Sequence, residues 1–94
     1  MILHLVFFKF KEEDKESNMK KMKRDLEALK MDEIMKLEVG VNYNDTERAW
    51  DLSLITEFKD HADLDAYQNY PPHVAIKEFA AKVCMDSAVV DYEK

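Results

Sequence analysis

The first ten residues place the strongest constraint on what this chain can fold into. Residues 2–10 are rich in β-branched and aromatic side chains and too few for a typical helix, which predicts a strand. Alternation places His4, Val6 and Phe8 on one face of it. The opposite face carries Leu3, Leu5 and Phe7. Because both faces are apolar, we expect a central strand that is covered on both sides.

The remainder of the chain alternates between helical and strand periodicity. The patterns predict helices at about 13–30, 60–69 and 72–83, and strands at about 34–43, 50–58 and 87–92. We expect Asp60 to cap the second helix, and the pair Pro71-Pro72 to end that helix and begin the next. Gly40, the only glycine, predicts a bulge or a close backbone approach in the second strand.

The predicted order β-α-β-β-α-α-β defines the fold class. Two βαβ halves with right-handed crossovers give an α+β, ferredoxin-like fold, in which helices cover one face of a four-stranded antiparallel sheet. The other face carries too much apolar surface to remain in water. We therefore predict a homodimer, with a second copy packed on this open face by two-fold symmetry. The predicted interface consists of Leu3, Leu5, Phe7, Ile55 and Val90.

Composition restricts the classes of partner. The 94 residues predict one domain spanning 1–94, and a net charge of −6 with a pI near 5.0 argues against nucleic acid. The single cysteine, Cys84, excludes an internal disulfide and fits a reducing compartment. The apolar N-terminal segment lacks a basic region and a cleavage site and is too short to span a bilayer. We expect a cytoplasmic protein that does not bind membranes.

The densest group of chemically active side chains lies at residues 66–76, Ala-Tyr-Gln-Asn-Tyr-Pro-Pro-His-Val-Ala-Ile. The prolines place His73 in the first turn of a helix, where an imidazole can exchange protons near neutral pH. Tyr67 precedes it on the previous helix. In the predicted topology the first and last strands are antiparallel neighbours, which makes His4 and Asp91 cross-strand partners on the helix-facing side.

These four polar groups are expected to converge on an apolar cavity, the usual form of a ligand site. The predicted lining residues are Val6, Phe8, Met22, Leu26, Leu54, Phe79 and Val89. Each polar group also has a structural alternative. His4 would be a core histidine, His73 a helix cap, Tyr67 a core tyrosine and Asp91 the partner of a histidine. No cluster has metal-ligand spacing, no haem or flavin signature occurs, and one glycine excludes a glycine-rich phosphate loop, so no cofactor is predicted.

Five segments together resemble the stress-responsive A/B barrel domain family. They are His-Leu-Val-Phe-Phe-Lys-Phe-Lys, Leu-Glu-Val-Gly-Val-Asn, Asp-Leu-Ser-Leu-Ile-Thr-Glu-Phe, Ala-Tyr-Gln-Asn-Tyr-Pro-Pro-His-Val-Ala and Val-Val-Asp-Tyr-Glu, in order along almost the whole chain. The resemblance implies a dimeric α+β barrel formed by two ferredoxin-like sheets. Many members have no assigned function, and one plant member is a cofactor-free polyketide cyclase.

Site residues of that cyclase correspond to residues of this chain. The resemblance implies that His73 is a general base, that Tyr67 assists it and that His4 faces the same pocket. The family usually has His-Pro-x-His, whereas this chain has Tyr70-Pro71-Pro72-His73, which leaves one of the two histidines.

Two functions follow as alternatives. The first is a cofactor-free enzyme of lyase, cyclase or isomerase type acting on a small apolar carbonyl compound. The second is a non-enzymatic dimeric stress or ligand-binding protein whose core is filled by side chains. Since a ligand site typically measures about 300–1,000 Å³, the volume beside His73 distinguishes them.

Overall fold

Seven elements make up the computed structural model, which describes residues 1–94. They are β1 (Ile2–Phe10), α1 (Lys15–Glu27), β2 (Lys36–Val41), β3 (Leu52–Phe58), α2 (His61–Gln68), α3 (Pro71–Val83) and β4 (Cys84–Glu93). The strands form one antiparallel sheet in the order β2-β3-β1-β4. The predicted ferredoxin-like α+β fold is confirmed, with β1 in the interior of the sheet.

Two element boundaries differ from the sequence prediction for local reasons. Helix α1 begins only after Asp14, whose left-handed backbone (φ 53°) interrupts any earlier helical turn, and it ends at its C-cap, Ala28. Strand β4 begins at Cys84, three residues before the predicted start, because α3 passes into extended backbone without a turn (φ −98°, ψ 142° at Cys84). The apolar pattern of residues 79–84 continues across this junction and so concealed it.

The predicted helix signals are confirmed. The Asp60 side chain accepts a hydrogen bond from the Asp63 backbone N–H at 3.0 Å, which satisfies one of the unpaired donors of the first turn of α2. Pro71 and Pro72 occupy the first two positions of α3, where a missing N–H has no intrahelical acceptor. These two starts fix the α2–α3 corner that carries the histidine segment.

The core lies between the sheet and the helices. The helix-facing residues of β3 are almost fully buried and alternate with partly exposed ones, as predicted: Leu52, Leu54, Thr56 and Phe58. Burying each large apolar side chain contributes about 1.5–3 kcal/mol. The Thr56 hydroxyl is satisfied by the His4 carbonyl at 3.2 Å.

The opposite face of the sheet has no helix over it. Leu5, Phe7 and Ile55 are partly exposed there and Val90 is half exposed, whereas Leu3 is already buried within the single chain. The expected bulge at Gly40 is absent, because β2 and β3 keep a regular register in which Gly40 faces Ser53. The close approach is to a side chain instead of to backbone: a Cβ at Gly40 would lie 2.9 Å from the Ser53 hydroxyl oxygen, which would have to rotate away. The one register shift in the sheet lies between Lys9 and Phe10.

Candidate functional site

An apolar cavity of about 530 Å³ lies between the sheet and α3. Five of the seven predicted apolar lining residues do line it: Val6, Phe8, Leu26, Leu54 and Val89. Met22 and Phe79 do not line it. Met22 is fully buried in the core, and Phe79 lines a separate groove between α1 and α3 with the Lys21 ammonium 4.9 Å from its ring centre.

His4 and Asp91 form a hydrogen-bonded pair at this cavity. They are opposite one another in the β1–β4 register, as predicted, and the His4 Nδ1 bonds to the Asp91 carboxylate. His4 is buried and lines the cavity, whereas the Asp91 side chain is half exposed on the edge strand. Because a carboxylate is an acceptor, the neutral imidazole carries its proton on Nδ1 and keeps the Nε2 lone pair free.

His73 lines the same cavity and is 5 % exposed. Its ring stacks on that of Tyr67 with centroids 4.0 Å apart and planes at 29°. Burial first, then the nearby Lys77 ammonium and His4, lower the pKa of His73 to about 4, against a weaker opposing effect of the Tyr67 backbone carbonyl. His73 is therefore neutral at neutral pH, and its Nδ1 has no hydrogen-bond partner in the protein.

Tyr67 lies behind His73 rather than on the cavity wall. Its side chain is fully buried, with its ring centre 5.0 Å from that of Phe58 and 6.2 Å from that of His4. Its hydroxyl has no hydrogen-bond partner in the protein, and burial raises the pKa of Tyr67 well above its ordinary value. The contacts of Tyr67 therefore fix the orientation of the two imidazoles.

Tyr70, at the position of the family's other histidine, points away from the cavity. It is the N-cap residue of α3, and its hydroxyl donates a hydrogen bond to the Lys30 carbonyl at 2.8 Å. The third histidine, His61, is exposed and pairs with Glu93 at 2.7 Å, outside the cavity. The cavity consequently has two histidines, one from the sheet and one from α3.

The sequence prediction missed several polar lining residues: Gln68, Lys77, Asp86 and Ser87, together with the thiol of Cys84. Lys77 is four residues after His73 on one helix, a spacing that places both on the same face and could have identified it. Cys84 has no such signal, because it directly follows the apolar pattern of the predicted third helix. Burial is the main reason that the pKa of Cys84 rises to about 11.

A larger hollow of about 840 Å³ lies at the start of α1. Its walls are mostly charged or polar, and one of its ion pairs joins Lys15 to Asp51 at 3.1 Å. It contains neither a histidine nor the cysteine, so the smaller apolar cavity is the better chemical candidate. No group of three or more His, Cys, Asp or Glu side chains is placed to hold a metal ion.

The comparisons with known proteins agree with this architecture. The model of the family described as the Stress Responsive A/B Barrel Domain matches residues 2–94. A dimeric protein of unknown function and ferredoxin-like fold from Bacteroides fragilis is 35 % identical, with a TM-score of 0.89 over 99 % of this chain and 95 % of that one. No curated protein matches the chain.

Two more distant structures share the fold. A ferredoxin-like protein of the same family from Mesorhizobium loti is 20 % identical, with a TM-score of 0.76 over 99 % of this chain and 95 % of that one. The hydroxynitrile lyase of Passiflora edulis is 18 % identical, with a TM-score of 0.84 over 97 % of this chain and 90 % of that one. None of the three helices is long and apolar enough to cross a membrane.

Proposed function

The chain belongs to the stress responsive A/B barrel domain family, and on that premise we propose that it binds a small apolar carbonyl compound and catalyses cofactor-free proton transfer on it. The observation that carries the proposal is the meeting of two histidines at one apolar cavity of about 530 Å³. This volume lies within the range of small-molecule sites, about 300–1,000 Å³. It argues against a core filled by side chains.

His4 is the general base in this proposal. The bond from its Nδ1 to Asp91 fixes the ring and leaves Nε2 available at the cavity. In the reaction, Nε2 removes a proton from the carbon next to the carbonyl group of the ligand. The electron pair of that C–H bond moves towards the carbonyl oxygen, which becomes an enolate, and the new N–H bond later returns the proton.

His73 receives a different role from the one that the family resemblance implies. A base works best when its pKa is near the working pH, and burial lowers the pKa of His73 to about 4. A neutral imidazole that lines the cavity is better suited to bind the ligand oxygen by a hydrogen bond. Tyr67 and Asp91 line no part of the cavity, so they are positioning residues for the two imidazoles.

A protein that binds a ligand in this cavity without transforming it is the second candidate. The lowered pKa of His73 favours it, since a weakly basic imidazole is a poor acceptor for a substrate proton. The similarity to the hydroxynitrile lyase does not decide between the two, because at 18 % identity it shows the fold alone. Both candidates require a ligand in the cavity and differ in what His4 does.

The elimination of nitrobenzisoxazole tests for the base, because removal of its ring C–H proton breaks the N–O bond and yields a coloured phenolate. We expect His4→Gln to lower the rate by about 10²–10⁴-fold, the usual contribution of a positioned base. Asp91→Asn should cause a smaller loss with unchanged far-UV dichroism. His61→Gln is a matched control, since His61 also pairs with a carboxylate but lies outside the cavity. Equal rates for wild type and His4→Gln would refute the catalytic role.

We also propose that the chain forms a homodimer through the open face, as a dimeric α+β barrel. The Bacteroides fragilis relative is dimeric, and partly exposed Leu5, Phe7 and Ile55 lie beside half-exposed Val90 on this face. Leu5→Asp should convert the dimer to monomer in light scattering, whereas Asn44→Asp, in the exposed β2–β3 loop, should not. A monomeric wild type would contradict the proposal.

Location in the cytoplasm remains a proposal. It is supported by the single cysteine, Cys84, which has no disulfide partner in the chain and suits a reducing compartment. Cell fractionation tests it, and recovery of the chain outside the cytoplasmic fraction would contradict it.

A further inference from the structure

Lys77 is the only lysine or arginine among the residues that line the cavity. It lies one helical turn after His73, on the same face of α3. Its ammonium group donates a hydrogen bond to the Gln68 carbonyl at 2.8 Å and takes part in none of the ion pairs of the chain. An ammonium has three N–H donors, so two remain for a further partner.

From this arrangement we propose that the ligand of the cavity is an amphiphile with an apolar body and a carboxylate, and that Lys77 binds the carboxylate at the cavity entrance. The inference rests on the proposed ligand-binding function and adds the chemical class of the ligand. Lys77 acts here as a specificity-determining residue, and the base at His4 is a separate group.

The imidazole of His73 is the second observation that points to a polar ligand group here. It lines the same cavity as Lys77, and a neutral imidazole ring can both donate and accept a hydrogen bond. The closeness of Lys77 to this ring is also seen in its effect of lowering the pKa of His73.

The other walls explain why the ligand must also be apolar. Ten of the sixteen lining residues are hydrophobic, and they include Leu26, Leu54 and Ile76. The charged side chain on the β4 wall is Asp86, whose carboxylate accepts the Ser87 backbone N–H at 2.9 Å. An anionic group is repelled by Asp86 and attracted by Lys77, so the charge arrangement orients the ligand with its carboxylate at α3.

The test compares octanoate with octanamide, which share the apolar chain and differ in charge. In calorimetric titrations of the wild type we expect octanoate to bind about two- to fivefold more tightly, as for one exposed ion pair. Lys77→Gln should abolish this preference without weakening octanamide. Lys82→Gln is the matched control. It removes the same charge from α3, and Lys82 does not line the cavity.

Each other outcome overturns the inference in a distinguishable way. Equal binding of the two probes to the wild type would refute carboxylate selection and leave ligand binding by the cavity intact. An equal loss of preference in Lys77→Gln and Lys82→Gln would show a general effect of net charge rather than a contact. Binding of neither probe would refute both the inference and the proposed apolar ligand site.

Discussion

Replacing Tyr67 by phenylalanine should stabilise this protein, which is the opposite of the usual effect of a core substitution. Tyr67 is fully buried, and its hydroxyl has no hydrogen-bond partner in the protein. Phenylalanine keeps the ring, and therefore keeps the stacking on His73 at 4.0 Å and the contact with Phe58 at 5.0 Å. Only the hydroxyl, which lost its water on folding, is removed.

The magnitude follows from the cost of burying an unpaired polar group, about 1–3 kcal/mol. For a chain of 94 residues, each kcal/mol changes the melting temperature by about 4–8 °C. We therefore expect Tyr67→Phe to raise the melting temperature by about 4 °C or more. Keeping the Tyr67 hydroxyl therefore lowers the free energy of unfolding, a cost that is common at functional sites.

Tyr70→Phe is the matched control, three residues along the chain. The Tyr70 hydroxyl donates to the Lys30 carbonyl at 2.8 Å, so its removal should cost about 0.5–1.5 kcal/mol. Thermal melts followed by circular dichroism at equal protein concentration compare the two variants with wild type. If Tyr67→Phe lowers the melting temperature as Tyr70→Phe does, the Tyr67 hydroxyl is bonded in solution and the reasoning is refuted.

Three further outcomes are expected. The pKa of His73 is about 4 in the folded protein and 6.5 ordinarily, so the unfolded chain takes up the proton first as the pH falls. The contribution of His73 to the free energy of unfolding should therefore be constant above pH 6.5 and fall by about 3 kcal/mol by pH 4. Urea melts should show this slope in the wild type and lose it in His73→Phe, and its persistence in that variant would contradict the assignment. Cys84, with a pKa near 11 rather than 9.0, should react with iodoacetamide about tenfold more slowly than an unperturbed cysteine, because the smaller thiolate fraction is partly offset by the higher nucleophilicity of a more basic thiolate; equal rates would show an exposed thiol. Leu52→Ala should cost about 2–5 kcal/mol in urea unfolding, and a loss below 1 kcal/mol would show that this core region is loosely packed.

Much of the fold could be predicted because its signals are local. Alternation on β3, the Asp60 cap and the proline pair each depend on neighbouring residues and on general backbone chemistry, and all three are confirmed. The pairing of His4 with Asp91 is a long-range contact, but it follows from antiparallel register once the topology is known. Helix α1 and strand β4 differ at their ends, since a left-handed Asp14 and a turnless junction at Cys84 leave no clear mark on periodicity.

The site could be predicted in membership but not in roles. His4 and His73 do line one cavity, while Tyr67 lies behind its wall. Met22 is buried in the core and Phe79 lines a separate groove. Periodicity assigns a residue to the inner side of a helix, but it does not say which inner residues border a void and which fill the core. That distinction depends on how three helices pack on the sheet.

By itself the sequence determined the order of the elements, the buried face of β3 and the chemistry that two histidines bring to one region, because these depend on residue type and spacing. Only the tertiary structure decided that His4 is tethered through Asp91 while the buried His73 has its pKa lowered to about 4, and that Lys77 lines their cavity. The physical reason is that protonation and access depend on desolvation and on charges brought together from distant parts of the chain.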